Sequence, residues 1–453
     1  MNVYFKKLDY WKNPQEIFEA LFAGQNDVFW LDSSRAKKGL ARFSYMGKAT
    51  SVYSYSLWKD KKNVFDYLEK QLKKNKITST LPFDFVGGFV GYFGYALTDS
   101  TTKFTSQYPD SLWMMITQFL AFDHQEKKMY IVCVSKDKNK AEKWIKFSEN
   151  NIENVQANVS AESKKEEKEI VFFLDRSHKQ YLLDVQKCKE YLKNGESYQI
   201  CLTNQFHTKS DVDDVSLYKI LRTLNPAPYG AFIKYNDLAI LSSSPERFLY
   251  IDSKKNVETK PIKGTSKRST NKKEDEKLAQ KLLHSEKDRA ENLMITDLLR
   301  NDLGKVCIIG SVQVPKLIAL ESYQTVHQLV STITGELRKD VSVIDCIKAC
   351  FPGGSMTGAP KKRTTQIIAK LEKKPRGIYS GALGFLSFTG AVNLNIVIRT
   401  IVKQNNNISI GAGGAVLMQS DAEKEYQEML LKAKVLLEAI TKAVNAKRYI
   451  IKE

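Results

Sequence analysis

A chain of 453 residues with 42% apolar and 27% charged side chains has the balance of a folded globular protein, which excludes wholesale disorder and collagen-like or coiled-coil classes. Lys plus Arg number 70 and Asp plus Glu 51, a net charge of +19. The basic residues lie in short clusters (Lys37 and Lys38, Lys61 and Lys62, Lys361 to Arg363) with no RNA-recognition motif, zinc finger or basic tail, so no nucleic-acid partner is expected.

In chain order, Met1 to Pro14 lacks the apolar core of a signal peptide. Val64 to Leu72 reads as an amphipathic piece. Pro82 to Leu97 is the most apolar stretch, yet it carries Asp84, Gly87, Gly88, Gly91 and Gly94. Those glycines point to close backbone packing within a sheet and not to a membrane span. Met129 to Val134 is β-rich. The polar segment Asn151 to Glu169 is the best linker candidate and divides an N-terminal region, 1–160, from a second region, 170–445. Tyr181 to Leu192 reads as a helix, followed by strand-like runs at Ala239–Ser243, Phe248–Ile251, Ala391–Val402 and Ile408–Ile410. Regular βαβ alternation is absent, so the expected class is α+β. Six cysteines without CxxC or zinc spacing read as reduced thiols of a cytoplasmic protein.

Several residues could carry chemistry. Glu246 stands in SSPERF and would need burial to serve as a general acid. Lys263 stands in KPIKGT; a free lysine has a pKa of about 10.4, so a nucleophile there must be desolvated or set near other cations. Ser285 is a plausible helix N-cap, with Asp288 and Glu291 three apart behind it and Gly304 as a stop. Gly353–Gly358 (GGSMTG) fails the Walker pattern because Ala359 and Pro360 follow, with Pro360 placed like a first-turn proline. Gly411–Val416 (GAGGAV) fails the dinucleotide pattern at Val416. Both read as glycine loops feeding helices, where free N–H groups can meet an anion. Ser420 and Glu423 read as a capping box, ahead of a stripe of Glu425, Glu428 and Lys432. Two acidic pairs on separate helices could hold one Mg²⁺; surface salt bridges to Lys287, Arg289 and Lys424 are the plainer alternative.

Taken together these motifs resemble the chorismate-utilising enzymes, the family of anthranilate, isochorismate and salicylate synthases. The likeness runs from about residue 29 to about residue 440. It rests on Asp32–Gly47, Pro82–Tyr95, Gly195–Phe206, Ser243–Phe248, Pro261–Thr265, Arg289–Gly304, Val326–Ser331, Phe351–Lys361, Ile378–Gly384, Ile398–Thr400, Gly411–Val416 and Ser420–Glu428. The resemblance implies large antiparallel sheets packed as a sandwich with helices around them. It also implies Mg²⁺ held by Glu291 and Glu428, with Glu425 and Asp288 near. Chorismate carboxylates would meet Gly413, Gly414, Arg399, Tyr379 and Lys432, and Thr265, His327 and Thr357 would line the pocket. Neutral Lys263 would attack the ring while Glu246 protonates the departing hydroxyl.

Within the family, water-adding members carry a lysine where this chain has Gln199. PIKGT and GGSMTG resemble the branch that aminates chorismate to 4-amino-4-deoxychorismate, on the way to p-aminobenzoate and folate. Anthranilate formation is the alternative, and a silent or nucleic-acid-binding protein a more remote one. No cysteine sits in a G-x-C-x-G elbow, so the ammonia is expected from glutamine through a separate amidotransferase subunit. Relatives that hold tryptophan pair a segment like Leu31–Ser34 with NPSPYM. Here that motif reads Asn225–Gly230 (NPAPYG), which argues against tryptophan.

Overall fold

The computed structural model describes residues 1–34, 41–57, 59–60, 63–97, 104–155, 167–323 and 326–453. Lys37, Lys38, Lys61, Lys62 and most of the proposed linker (156–166) lie outside the described residues. Among the described residues the strands form one sheet of 13 and another of 10. The larger runs from Asn2–Leu8 at one edge to Ala446–Lys452 at the other; Ala446–Lys452 lies parallel to Glu167–Leu174. Both sheets take strands from either side of 156–166. Val28–Asp32 pairs with Tyr229–Tyr235 in one, and Gly88–Phe93 with Ala382–Ser387 in the other. This is the expected α+β sandwich.

The large sheet is buried on both faces, and the period-2 alternation of a strand sorts its side chains. Along Gln199–Lys209, Cys201 enters the core between the sheets, whereas Ile200, Leu202 and Phe206 enter a second core beneath the helices. The long helix Ala422–Ala443 closes that second core with Tyr426, Met429, Ala433, Leu436, Leu437 and Ile440. Deleting a fully buried side chain there, as in Met429→Ala, costs about 2–5 kcal/mol by lost burial and the cavity left.

Most local expectations hold within a residue or two. Val64–Lys74 and His178–Lys193 are helices, Lys128–Ser135 is a strand, and Ser285 caps Glu286–Gly304. Three differ. The Ala391–Val402 run is two strands, Val392–Ile396 in the smaller sheet and Thr400–Gln404 in the larger. Arg399, at φ 52°, sits at the crossing. Gly411–Val416 is no loop but the second half of the strand Asn407–Val416, paired with Gln199–Lys209. The last helix is capped by Asp421, whose side chain accepts from the Lys424 N–H. Ser420 instead accepts from the Leu417 N–H and donates to Glu425 Oε1. Pro360 is likewise one place earlier, at the N-cap of Lys361–Glu372.

Candidate active site

Lys263 lies on the strand Ile262–Lys267, whose register with Val326–Glu336 breaks between Lys263 and Thr265. Gly264, at φ +79°, makes the break, and a Cβ there would stand 2.9 Å from Asp288 Cγ, so only glycine fits. The strand turns Lys263 inward. Its Nζ donates to Glu291 Oε1 at 2.6 Å, with only 11% and 10% of the two side chains exposed. Burial favours the neutral amine, but the Glu291 carboxylate outweighs it and holds the Lys263 pKa above its ordinary value. In this arrangement the pairing with Glu291 favours the ammonium, so the expected neutral amine requires that Glu291 release it. Glu246, 6% exposed just after the strand Leu238–Ser244, behaves oppositely. Burial pushes its pKa up to about 7, against the pull of Lys263 and of hydrogen bonds from Ser355 and the Ile262 backbone. Ser355 belongs to GGSMTG, so that loop touches the acid directly.

The two acidic helices meet beside Lys263. Lys287 Nζ lies 3.0 Å from Glu425 Oε1, and Lys432 Nζ lies 2.7 Å from Glu428 Oε1. Burial alone would raise the Glu428 pKa, but Lys432, then Lys287 and Lys263, hold it below its ordinary value. Lys287, named above only as a salt-bridge partner, is thus part of the site. Glu425 Oε2 is buried without a partner. A Cβ at Gly414 would stand 3.1 Å from it and 3.6 Å from Glu428 Oε1. Carboxylate oxygens with one left unpaired suit a hard dication such as Mg²⁺ in donor chemistry. Among the described residues, however, no three acidic, His or Cys side chains gather into a ready cluster. Lysine ammoniums take that place, one on each of Glu291, Glu425 and Glu428.

Across from the carboxylates the site is built for anions. Thr203 faces Gly413 in the sheet register, yet the Thr203 N–H goes to Glu372 Oε1 and the Gly413 carbonyl accepts from Lys432 Nζ at 2.9 Å. This pair turns its hydrogen-bonding groups away from each other, as alternate antiparallel pairs do. The Gly413 N–H therefore faces the edge that Thr400–Gln404 leaves open beyond Ile410. Arg399 donates from Nη1 to the Lys432 carbonyl, and no acidic side chain among the described residues pairs with it. Burial accordingly lowers its pKa. Tyr379 lays its ring on Gly411, where a Cβ would come within 2.2 Å of the ring. Thr357 is fully buried and donates to the Gly353 and Gly354 carbonyls.

Two expected residues sit apart from this centre. Thr265 is exposed and accepts from Gln328 Nε2 at 3.4 Å. His327 is buried, with its ring nitrogens 2.7 Å from Ser322 Oγ and 3.1 Å from Asp275 Oδ1. Asp288 lies over Gly264 at the edge of the site. Gln199 had no assigned role in the sequence. It is wholly buried with neither amide atom partnered, on the same strand face as Cys201, whose thiol feels Lys263 and Lys432. The Leu31–Ser34 and Asn225–Gly230 segments meet at a separate small cavity that they share with Asn393 and Asn395.

Comparison with known proteins places this geometry in a family. Residues 10–438 match the family described as chorismate binding enzyme, and the chain belongs to it. The chain is 40% identical to a protein of Oryza sativa subsp. japonica named probable aminodeoxychorismate synthase, chloroplastic, over 96% of this chain and 56% of that one. It is 38% identical to aminodeoxychorismate synthase component 1 of Escherichia coli (strain K12), over 80% of this chain and 78% of that one. The crystal structure of anthranilate synthase component I from Streptococcus pneumoniae TIGR4 superimposes with a TM-score of 0.79 at 28% identity, covering 87% and 92% of the two chains. This chain thus spans little more than half the length of the rice relative. No helix among the described residues is long and apolar enough to cross a membrane.

Proposed function

We propose that this chain aminates chorismate at C4, giving 4-amino-4-deoxychorismate and water, as an aminodeoxychorismate synthase of the component I type. What carries the reading is a single interior pocket that holds a lysine, Lys263, within reach of the charge of a carboxyl lifted to about pH 7, Glu246. The lysine also favours this branch over anthranilate formation, whose enzymes resemble PIAGT at that motif. The relatives named aminodeoxychorismate synthase support the same choice.

The substrate carboxylates are taken by Arg399, with which no acidic side chain among the described residues pairs, by the Gly413 N–H, and by Lys432 and Tyr379. Mg²⁺ would be held by Glu291, Glu425 and Glu428, with Asp288 at the edge, and would supply a positive anchor for a carboxylate. Thr357 shapes the loop behind the ring, while Thr265 and His327 take no part in holding it. Lys263 releases its proton to water when Glu291 no longer faces it, since burial then favours the amine. The amine forms a bond to C2, both double bonds of the ring diene shift toward C4, and the C4–O bond breaks. Glu246 gives its proton so that the hydroxyl leaves as water. Ammonia then bonds to C4, both double bonds return, and Lys263 leaves C2 as the amine. The proton shed by the new ammonium restores Glu246. A separate glutamine amidotransferase subunit delivers the ammonia. The six cysteines are all free and buried, which supports a reducing, cytoplasmic setting.

The test incubates the purified chain with chorismate, Mg²⁺ and an ammonium salt and identifies the product by mass. 4-Amino-4-deoxychorismate is expected; fluorescent anthranilate as the main product would transfer the chain to the other branch.

A further inference from the structure

Three of the segments placed above at the pocket touch one side chain that is not itself in it. Arg376 is 4% exposed and lies where Lys361–Glu372 turns toward Ala382–Ser387. Its guanidinium carries five N–H donors, and five hydrogen bonds leave it. Nε and Nη2 form a fork on Glu372 at 2.8 Å each. Nη2 also donates to the Cys201 carbonyl at 2.7 Å. Nη1 donates to the Met356 carbonyl at 2.7 Å and to Ser380 Oγ at 3.3 Å. The face of the cation lies on the Tyr95 ring, 4.5 Å from its centroid.

Three of the four acceptor residues are one or two residues from a pocket position. The Met356 carbonyl is in the peptide that leads into Thr357, and Ser380 follows Tyr379. Cys201 is two residues from Gln199, and its own N–H donates to the Thr357 carbonyl at 2.8 Å. Glu372 extends the set, since its Oε1 also accepts from the Thr203 N–H and hydroxyl at 2.9 Å each. Those bonds keep Thr203 turned from Gly413, which leaves the Gly413 N–H on the open edge. Arg376 makes no hydrogen bond to Lys263 or Glu246, and its one link toward the acid runs through the loop that holds Ser355 and Met356.

We propose that Arg376, held by Glu372, is a positioning residue for the chorismate pocket: it fixes the Thr357 loop, the Tyr379 ring and the Gly413 edge relative to one another without touching substrate. Lysine cannot replace it, because an ammonium has three donors and no planar fork. The inference rests on the chorismate reading but not on which product is formed.

The test compares Arg376→Lys and Glu372→Gln with Lys403→Met. Lys403 forms an equally buried ion pair with Asp214 at 2.8 Å, outside the site. Thermal unfolding, equilibrium binding of chorismate and ammonia-dependent turnover are measured on all three. Arg376→Lys is expected to bind chorismate at least about tenfold more weakly and to raise KM to match, with kcat changed less than threefold. Glu372→Gln should move the same way by a smaller factor. Lys403→Met should lose stability with KM unmoved. If folded Arg376→Lys binds chorismate as Lys403→Met does, the assignment is wrong. Should Arg376→Lys not fold, normal chorismate binding by Glu372→Gln overturns it equally. A wild-type chain that binds chorismate but makes no aminated product would sink the proposed function, while weaker binding in the variants would still uphold the positioning role.

Discussion

Lys263 and Glu246 share one pocket and have opposite electrostatic problems. Lys263 is buried against a carboxylate and stays charged; Glu246 is buried with less compensation and stays protonated to about pH 7. Removing the amine, Lys263→Ala, is expected to lower ammonia-dependent turnover on the order of a hundredfold or more, because the two-step displacement loses its nucleophile. Chorismate binding, held by Arg399 and Lys432, should survive; unchanged turnover would make Lys263 a bystander. Glu246 yields a prediction about stability as well as rate. Its folded pKa is raised above the unfolded value, so its contribution to stability is fully present below about pH 4.5 and declines as pH rises to about 7. Glu246→Gln has no such loss. It should match the parent near pH 4 and exceed it by roughly 2–3 kcal/mol at pH 8.5 in denaturant unfolding. Turnover of the parent should fall above about pH 7 as the acid ionises. A stability gap that does not change with pH would mean Glu246 is not protonated in the folded chain.

At the scale of elements, two neighbouring residues before the last helix have separable duties. Asp421 caps the helix at an exposed end, so Asp421→Ala should cost about 1 kcal/mol and leave activity alone. Ser420 is 2% exposed and bridges the Leu417 N–H to Glu425. Ser420→Ala should cost about 1–3 kcal/mol by orphaning buried polar groups, and should weaken Mg²⁺ dependence because Glu425 loses its orientation. Equal effects of the two variants on Mg²⁺ titration would refute this division. Both residues are good cap formers, so sequence alone allowed either, and only the Lys424 N–H direction decides. The Gly411–Val416 strand was illegible for a related reason. A strand buried on both faces shows no polar alternation, and glycines add no side chain from which to read one. Gly411 is glycine because the Tyr379 ring occupies the place of its Cβ, not because the chain turns there. By contrast Glu286–Gly304 was legible from end to end, since its cap, acidic first turn and stop are all local signals. The approach of Lys263 to Glu291 was not, because it joins a strand to a helix through tertiary packing.

For the whole molecule, the motif order carried the fold class, while the cross-links between segments had no local signature. Arg376 is the clearest case: nothing in KKPRGIY marks an arginine that reaches Cys201, Met356 and Ser380. The charge of +19, a plain composition fact, gains meaning from the site. Chorismate is a dianion at neutral pH, and a positive molecule whose interior guanidinium, Arg399, meets no acidic side chain among the described residues concentrates such a substrate near its mouth. That attraction acts over a Debye length, about 30 Å at 0.01 M salt and about 8 Å at 0.15 M. Raising KCl across that range at fixed ammonium and Mg²⁺ should therefore raise KM for chorismate severalfold. The kcat should stay level, because the steps inside the pocket lie among groups already shielded from bulk ions. A KM that stays flat would assign substrate capture to the buried Arg399 and Lys432 alone and leave the surface charge without a part in catalysis. The same series run with glutamine in place of ammonium should give no product at any salt, since none of the six cysteines stands in a G-x-C-x-G elbow; robust glutamine use by the isolated chain would remove the need for a partner subunit.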